Sequence, residues 1–327
     1  MTWLITGGAG YIGAHVVRAM REAGERAVVY DDLSTGIAER VPEGVPLVVG
    51  STLDGELLSR TLARHAVSGV VHLAAKKQVG ESVEQPLHYY QENVEGLRVL
   101  LSAVTDAKVP SFVFSSSAAV YGMPDVNLVT EDTPCVPMSP YGETKLAGEW
   151  LVRATGRATG LSTASLRYFN VAGAASPELA DVGVFNLVPM VFEKLTEGAA
   201  PRIFGDDYPT PDGTCVRDYI HVVDLAEAHV ATARRLRAAP GTDLTLNIGR
   251  GEGVSVREMI DRITTLTGHG LPPSVAPRRP GDPARVVASA DRIAGELDWK
   301  ARYGVEDMIS SAWEGWLRRH PEAQSPS

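Results

Sequence analysis

A doubly wound α/β fold with a smaller C-terminal lobe is the class this sequence predicts. Three observations carry the prediction. Short β-branched apolar runs alternate with stretches long enough for crossover helices. The first of these runs leads into a glycine triplet that opens a helix. After about residue 173 the alternation gives way to shorter segments rich in proline and glycine.

The apolar runs are WLIT (3–6), AVVY (27–30), PLVV (46–49), GVVHL (69–73), SFVFS (111–115), STASLRYF (162–169) and LTLNI (244–248). Most are apolar toward both faces, as strands of a parallel sheet covered on both sides are. Between the first two, Ile12, Val16, Ala19, Met20 and Ala23 share one helical face, and Gly24 follows as a stop. The large lobe is therefore expected to span 1–173 plus about 221–252, with LTLNI returning the chain to its sheet. The smaller lobe takes 174–220 plus about 253–320, and PEAQSPS (321–327) reads as a disordered tail.

Composition narrows the function. With 40 acidic against 31 basic side chains, the net charge of −9 excludes a general nucleic-acid binder, which needs a cationic field. Cys135 and Cys215 stand far apart in no metal-ligand spacing, and the eight histidines are scattered, so no metal is expected. Two lone cysteines suit a reducing compartment. MTWLITGGAG lacks the features of a signal peptide, and no apolar run approaches the ~20 residues of a membrane span. The expectation is a cytoplasmic protein.

In WLITGGAGYIGAHVV, Gly7, Gly10 and Gly13 lie between a strand and a helix. Glycines there permit a tight turn and let backbone N–H groups approach a pyrophosphate at the positive helix end. Asp31 ends the next strand, about 20 residues on, where an acid suits the ribose hydroxyls of NAD. Asp32, not a cation, follows it, so NAD is preferred over NADP. The large lobe is thus read as an NAD-binding, Rossmann-type domain.

In SPYGETK, Ser139 can cap a helix and Pro140 fits its first turn. Tyr141 and Lys145 then share a face at i and i+4. The lysine cation and the helix start both favour phenolate, which would lower the tyrosine pKa toward that of a working base. Alone, the pair would be an ordinary solvated helix face. SFVFSSSAAVYG, however, reads as a strand ending in hydroxyls, and active sites of open α/β folds lie at strand carboxyl ends. Ser117 is placed to face Tyr141. No G-x-S-x-G surrounds these serines, so a serine hydrolase is excluded.

At this point the chain resembles the extended short-chain dehydrogenase/reductases, and within them the nucleotide-sugar 4-epimerases. TGGAGYIG and SPYGETK mark the superfamily. The epimerase character lies in KKQVGESVEQPLHYYQENV, FSSSAAVYG, SLRYFNVAGA, IFGDDYPTPDGTCVRDYIHVVDLA and RRPGDPARV, which run in the right order over nearly the whole chain, to LDW at 297–299. The resemblance implies interconversion of UDP-galactose and UDP-glucose through a transient 4-keto sugar on tightly held NAD. By the same token Tyr141 is the base, Ser117 assists at the sugar hydroxyl, and Lys145 binds the nicotinamide ribose.

The resemblance also implies cofactor contacts at Gly7, Gly10, Tyr11, Ile12 and Gly13, at Asp31, Asp32, Leu33, Ser34, Thr35 and Gly36, and at Ser51 and Thr52. Further ones are Leu73, Ala74, Ala75, Lys77, Asn93, Ser115, Tyr141, Lys145 and Phe169. UDP-sugar contacts carry over to Lys77, Ser117, Tyr141, Asn170, Asn186, Leu187, Arg202, Ile203, Phe204, Arg217, Tyr219, Arg279, Asp282 and Val286. Arg217 and Arg279 suit a diphosphate by charge and fork geometry. Arg278 and Arg285 read better as surface arginines, and His221 and Asp224 as helix-start residues.

Two positions depart from the family. Ser51 stands where an aspartate often meets the adenine amine, which implies a weaker adenine contact. Val286 is small where a bulky tyrosine restricts the pocket around the sugar 2-substituent, which implies room for UDP-N-acetylhexosamines. The stripe Tyr90, Val94, Leu97, Leu101 and Val104, together with the Tyr141–Lys145 helix, implies a four-helix homodimer interface. Other readings stay open: a related 4-ketoreductase, a 4,6-dehydratase, or a non-catalytic NAD-binding regulator. The dehydratase lacks its acid pair here, since Ala118, Ala119 and Val120 follow Ser117.

Overall fold

The computed structural model describes residues 1–279 and 281–324. The chain begins β1 (Thr2–Thr6), α1 (Tyr11–Glu22), β2 (Arg26–Asp31), β3 (Leu47–Val49), α2 (Gly55–Arg64) and β4 (Gly69–His72). Two short helices, α3 (Val79–Glu84) and α4 (Pro86–Tyr90), pass through a π-helical turn (Gln91–Glu95) into α5 (Gly96–Asp106). Then come β5 (Ser111–Ser117), α6 (Pro140–Thr159) and β6 (Ser162–Tyr168). The chain next leaves the large sheet through β7 (Asn170–Ala172), α7 (Leu187–Thr196), β8 (Arg202–Phe204) and β9 (Val216–His221), and returns by α8 (Val222–Ala238) to β10 (Asp243–Ile248). It finishes with β11 (Gly253–Ser255), α9 (Val256–Thr267), β12 (Ser274–Ala276), β13 (Arg285–Val286), α10 (Asp291–Leu297) and α11 (Val305–Arg319).

Each of the seven apolar runs forms a strand of one parallel sheet, ordered β10-β6-β5-β4-β1-β2-β3. Order reverses between β1 and β4, so a crevice opens beyond their carboxyl ends, where such folds bind ligands. One sheet face is covered by α1 and α8, with Val16, Met20, Leu225 and Leu236 in its core. The other packs against α2 and α5 through Leu58, Leu62, Leu97, Leu101 and Val104. The last three belong to the stripe expected at a dimer interface; they are core, because the α5 face that carries them is spent on the sheet.

A second sheet, β11-β9-β13 with β7 on β9, and the β12-β8 pair carry the smaller lobe. Its core gathers Phe192, Met259, Ile260, Trp313 and Trp316. Two departures from the expected boundaries appear. Ile293, Leu297 and Trp299 pack into the large core, since α10 lies against β10 and α8. The expected disordered tail is ordered at Pro321–Gln324, a 3-10 turn in which Ala323 is buried and its carbonyl meets His269 Nε2 at 3.1 Å. Residues 325–327 of that tail lie outside the described residues.

Four histidines are buried in the neutral form. Burial holds His15, His221 and His229 at about 4 and His72 at about 3. His15 Nε2 accepts the Ala175 N–H at 3.0 Å, so protonation must break that bond. In the unfolded chain all four take protons near pH 6.5, so below that pH the unfolded state binds more protons and stability falls as pH drops toward 4. Asp218, raised to about 6 by burial, works in the opposite direction over part of the window. Urea unfolding is expected to show at least about 2 kcal/mol less stability at pH 5 than at pH 7; a flat profile would contradict the neutral assignments.

Candidate functional site

The glycine loop closes on itself at the carboxyl end of β1. Gly7 adopts φ +69°, and a Cβ there would meet the Ala74 nitrogen at 2.7 Å. A Cβ on Gly13 would lie 2.0 Å from the Gly7 carbonyl oxygen, so α1 sits directly on the turn. At the end of β2, Asp31 accepts the Ala9 N–H and the Leu33 N–H, each at 2.9 Å. Burial raises its pKa, while these two bonds pull it down.

A cavity of about 670 Å³ runs from this loop to α6. Gly7, Gly10, Tyr11, Ile12 and Gly13 line it, as do Asp31, Asp32, Ser34, Thr35 and Gly36. Ser51, Thr52, Leu73, Ala74, Ala75, Lys77, Tyr141 and Lys145 are the other expected residues in its wall. The volume, the cradle that tolerates no Cβ, and the acid at the end of β2 fit a dinucleotide such as NAD.

Four expected cofactor residues lie elsewhere. Leu33 packs toward the large core. Asn93, buried in the π-helical turn, grips the backbone of Lys76 from both sides: Oδ1 accepts its N–H at 2.8 Å and Nδ2 donates to its carbonyl at 3.0 Å. It shapes the wall through that segment. The Ser115 carbonyl accepts Lys145 Nζ at 2.8 Å, and Phe169 packs with Val286, Leu146 and Tyr121.

Ser139 caps α6, accepting the Gly142 N–H at 3.2 Å, with Pro140 in the first turn. Tyr141 faces the cavity half-buried, with Ser117 close enough to its hydroxyl to lower its pKa. One expectation is overturned here. The Tyr141 pKa is raised, because lost contact with water outweighs the lowering effect of Ser117. The Lys145 ammonium lies 5.9 Å from the Tyr141 ring centroid and is turned to the Ser115 carbonyl, and burial lowers its pKa to about 8.

Of the expected substrate residues, Lys77, Ser117 and Tyr141 belong to the large lobe, and the others follow β6 in the chain. Arg217 on β9 forms an ion pair with Asp282, and Val286 on β13 pairs with Arg217 in register. The Arg279 guanidinium lies 3.7 Å from the centroid of Phe204, the last residue of β8 after Arg202 and Ile203. Asn170 opens β7 opposite buried Tyr219. Asn186, preceding Leu187 at the start of α7, donates to Asp181 Oδ2 at 3.1 Å. Of all the expected substrate residues, Lys77 and Tyr141 line the 670 Å³ cavity, and none of those that follow β6 does.

Residues not anticipated from sequence also line that cavity, among them Tyr30, Arg40, Lys76, Gln78, Tyr168 and the segment 181–185. Arg40 is buried and donates to the Ala180 carbonyl, while Arg319 donates to the Asp181 carbonyl at 2.8 Å. The segment is thus held to the cavity from both lobes. No local pattern marks it, since its partners are more than a hundred residues away in sequence.

Comparison with known proteins agrees with this geometry. The model of the NAD dependent epimerase/dehydratase family matches residues 3–249. A UDP-glucose 4-epimerase of Azospirillum brasilense is 46% identical over 319 residues, covering 96% of this chain and 91% of that protein. The crystal structure of UDP-glucose 4-epimerase from Stenotrophomonas maltophila, with bound NAD and formylated UDP-arabinopyranose, superposes with a TM-score of 0.94 at 39% identity, covering 99% of each chain. The UDP-Glc/GlcNAc 4-epimerase of Campylobacter jejuni superposes with a TM-score of 0.86 at 33% identity, covering 97% of this chain and 99% of that one.

Proposed function

The chain belongs to the NAD dependent epimerase/dehydratase family, and from that premise we propose that it is a UDP-glucose 4-epimerase, interconverting UDP-galactose and UDP-glucose. The observation that carries the reading is that Tyr141, in contact with Ser117, opens on the same cavity as the glycine loop and Asp31. NAD, when bound, supplies the acceptor and then the donor of the C4 hydride. Tyr141 takes the proton of the sugar 4-hydroxyl and later returns it to the opposite epimer. Ser117 orients that hydroxyl, and the transient product between the two transfers is a 4-keto sugar. Lys145 holds the nicotinamide ribose. Arg217 and Arg279 bind the UDP diphosphate, which requires that Arg217 exchange Asp282 for phosphate.

The direct test is incubation of the purified protein with UDP-galactose and no added cofactor, followed by sugar analysis. UDP-glucose is expected. Dependence on stoichiometric NAD(P)H would mark a ketoreductase instead, and no conversion would mark a binding protein.

Val286 is buried beside Phe169, and the resemblance puts its position next to the sugar 2-substituent, where a valine leaves room. We expect turnover of UDP-GlcNAc as well as UDP-glucose. A Val286→Tyr variant should lose UDP-GlcNAc turnover by about tenfold or more while keeping UDP-glucose turnover. No detectable UDP-GlcNAc turnover by the wild-type protein would remove the second substrate from the proposal.

The homodimer is proposed through a set of side chains that shares only Tyr90 with the expected stripe. Val83, Leu87, Tyr90 and Trp150 are exposed on α3, α4 and α6, which pack together, and Leu87 is 85% exposed. An apolar face of this kind on a single chain marks an interface. Light scattering at micromolar concentration should give twice the chain mass, and Leu87→Glu with Trp150→Glu should halve it. A wild-type monomer would refute the interface. A reducing compartment, the cytoplasm, suits the two free cysteines.

A further inference from the structure

Three successive residues of β5 are tied to three successive turns of α6. Ser117 meets Tyr141, the Ser115 carbonyl accepts Lys145 Nζ at 2.8 Å, and Ser116 Oγ donates to Glu149 Oε1 at 2.5 Å. Tyr141, Lys145 and Glu149 follow at i, i+4 and i+8, so one stripe of the helix reads one short stretch of the strand. The first two side chains are already assigned to the reaction. Glu149 is not, and it is 1% exposed.

Glu149 is held by a fork. Arg167 Nε donates to Oε1 at 2.8 Å and Arg167 Nη2 to Oε2 at 2.6 Å. Arg167 lies on β6 directly opposite Ser116 in register, and Asn247 of β10 lies opposite Arg167. Arg167 Nη1 donates to Tyr121 Oη at 2.9 Å, and Tyr121 in turn donates to Asn247 Oδ1 at 2.6 Å. A row of polar groups thus crosses β5, β6 and the edge strand β10. Such a buried pair is a poor device for stability alone, because well-packed apolar side chains of similar volume serve as well or better. What a bidentate, fully buried pair does provide is a fixed position along the contact, which an apolar seam does not enforce.

We propose that the Glu149–Arg167 pair is a positioning device that sets the height of α6 against β5, and so fixes Tyr141 relative to Ser117. The inference deepens the epimerase reading and rests on it for the kinetic part of its test. Its geometric part, the distance between Tyr141 and Ser117, is read independently.

Kinetically, Glu149→Gln keeps the shape and the bonds accepted at Oε1 but loses the charge and the Arg167 bond at Oε2. It is expected to lower kcat for UDP-galactose about 10- to 100-fold, the effect of a displacement approaching 1 Å at a reacting group, while KM and NAD retention stay within about twofold. The discriminating variant is Glu149→Leu combined with Arg167→Met, which replaces the pair by apolar side chains. We expect the thermal midpoint to return toward wild type while kcat stays low. If kcat recovers together with the midpoint, the pair is merely structural and the proposal fails. Should these variants not fold, Ser116→Ala removes only the strand's bond to Glu149 and is expected to cost about three- to tenfold in kcat; unchanged kcat in that variant overturns the proposal.

Spectroscopically, the ultraviolet difference titration of the holoenzyme reports the Tyr141 phenol, identified by its loss in Tyr141→Phe. Tyr141 faces Lys145, Tyr89 and Tyr168, which are left in place. Since contact with Ser117 lowers the phenol pKa, loosening that contact should move the titration upward. An unshifted titration overturns the positioning role even if the protein proves to have another activity. A shifted one supports it even if epimerisation is absent, in which case the functional reading alone has failed.

Discussion

Replacing Tyr141 by Phe is expected to lower UDP-galactose conversion by about 10³-fold, within the range attributed to positioned acid–base groups, and to leave the protein folded with NAD bound. The substitution removes one oxygen and keeps the ring in its half-buried place on the cavity wall. Lys145 retains its bond to the Ser115 carbonyl, so the nicotinamide end of the site keeps its cation. What is lost is the group that accepts and returns the 4-hydroxyl proton. Ser117 does not replace it, because an aliphatic hydroxyl is far too weak an acid to cycle its proton near neutral pH. Activity within tenfold of wild type, measured by sugar analysis after incubation, would remove Tyr141 from the role of base. Loss of NAD from the variant would instead assign it to cofactor binding.

Replacing Gly13 by Ala is expected to yield protein that does not retain NAD and is inactive by orders of magnitude. The added methyl would lie 2.0 Å from the Gly7 carbonyl oxygen and 2.7 Å from the Gly8 Cα. Both are backbone atoms of the turn that presents its N–H groups to the cofactor, so no side chain can swing aside to make room. The turn must open, and with it the anion site at the start of α1. Cofactor released on denaturation, quantified per chain, is the readout. Gly295→Ala on α10 is the control, since a Cβ there meets nothing within 4 Å. Gly13→Ala protein that retains a full complement of NAD would contradict the close contact between helix and turn.

Much of the large sheet was legible because its strands are buried on both faces and leave continuous apolar runs in the sequence. The smaller lobe was not, because strands of two or three residues such as β13 and β8 are too short to show a period. The pairing of Tyr141 with Lys145 could be read from a four-residue spacing, which fixes a helix face. The direction of the tyrosine pKa could not, since it depends on how much water the fold removes, and that quantity has no local signature. Asn93 was legible as a position, but its grip on the Lys76 backbone depends on a π-helical turn that its neighbours do not announce. Arg40 and the segment 181–185 were invisible for a simpler reason. They meet only after both lobes are folded, across 140 residues of chain in the case of Arg40 and Ala180.

The unequal strand lengths have a consequence for how this protein can change over generations. In the proposed reaction the glycine loop follows five-residue β1, Ser117 ends seven-residue β5, and Tyr141 and Lys145 stand on α6 packed against that parallel sheet. Several side chains proposed to meet the sugar, Asn170, Phe204 and Val286 among them, ride on two- and three-residue strands between loops, whereas Arg217 stands on the six-residue β9. Alterations in the second group, such as one at Val286, leave the register of the first untouched. On the proposed reading, single substitutions in the smaller lobe change substrate range while the reacting groups keep their places.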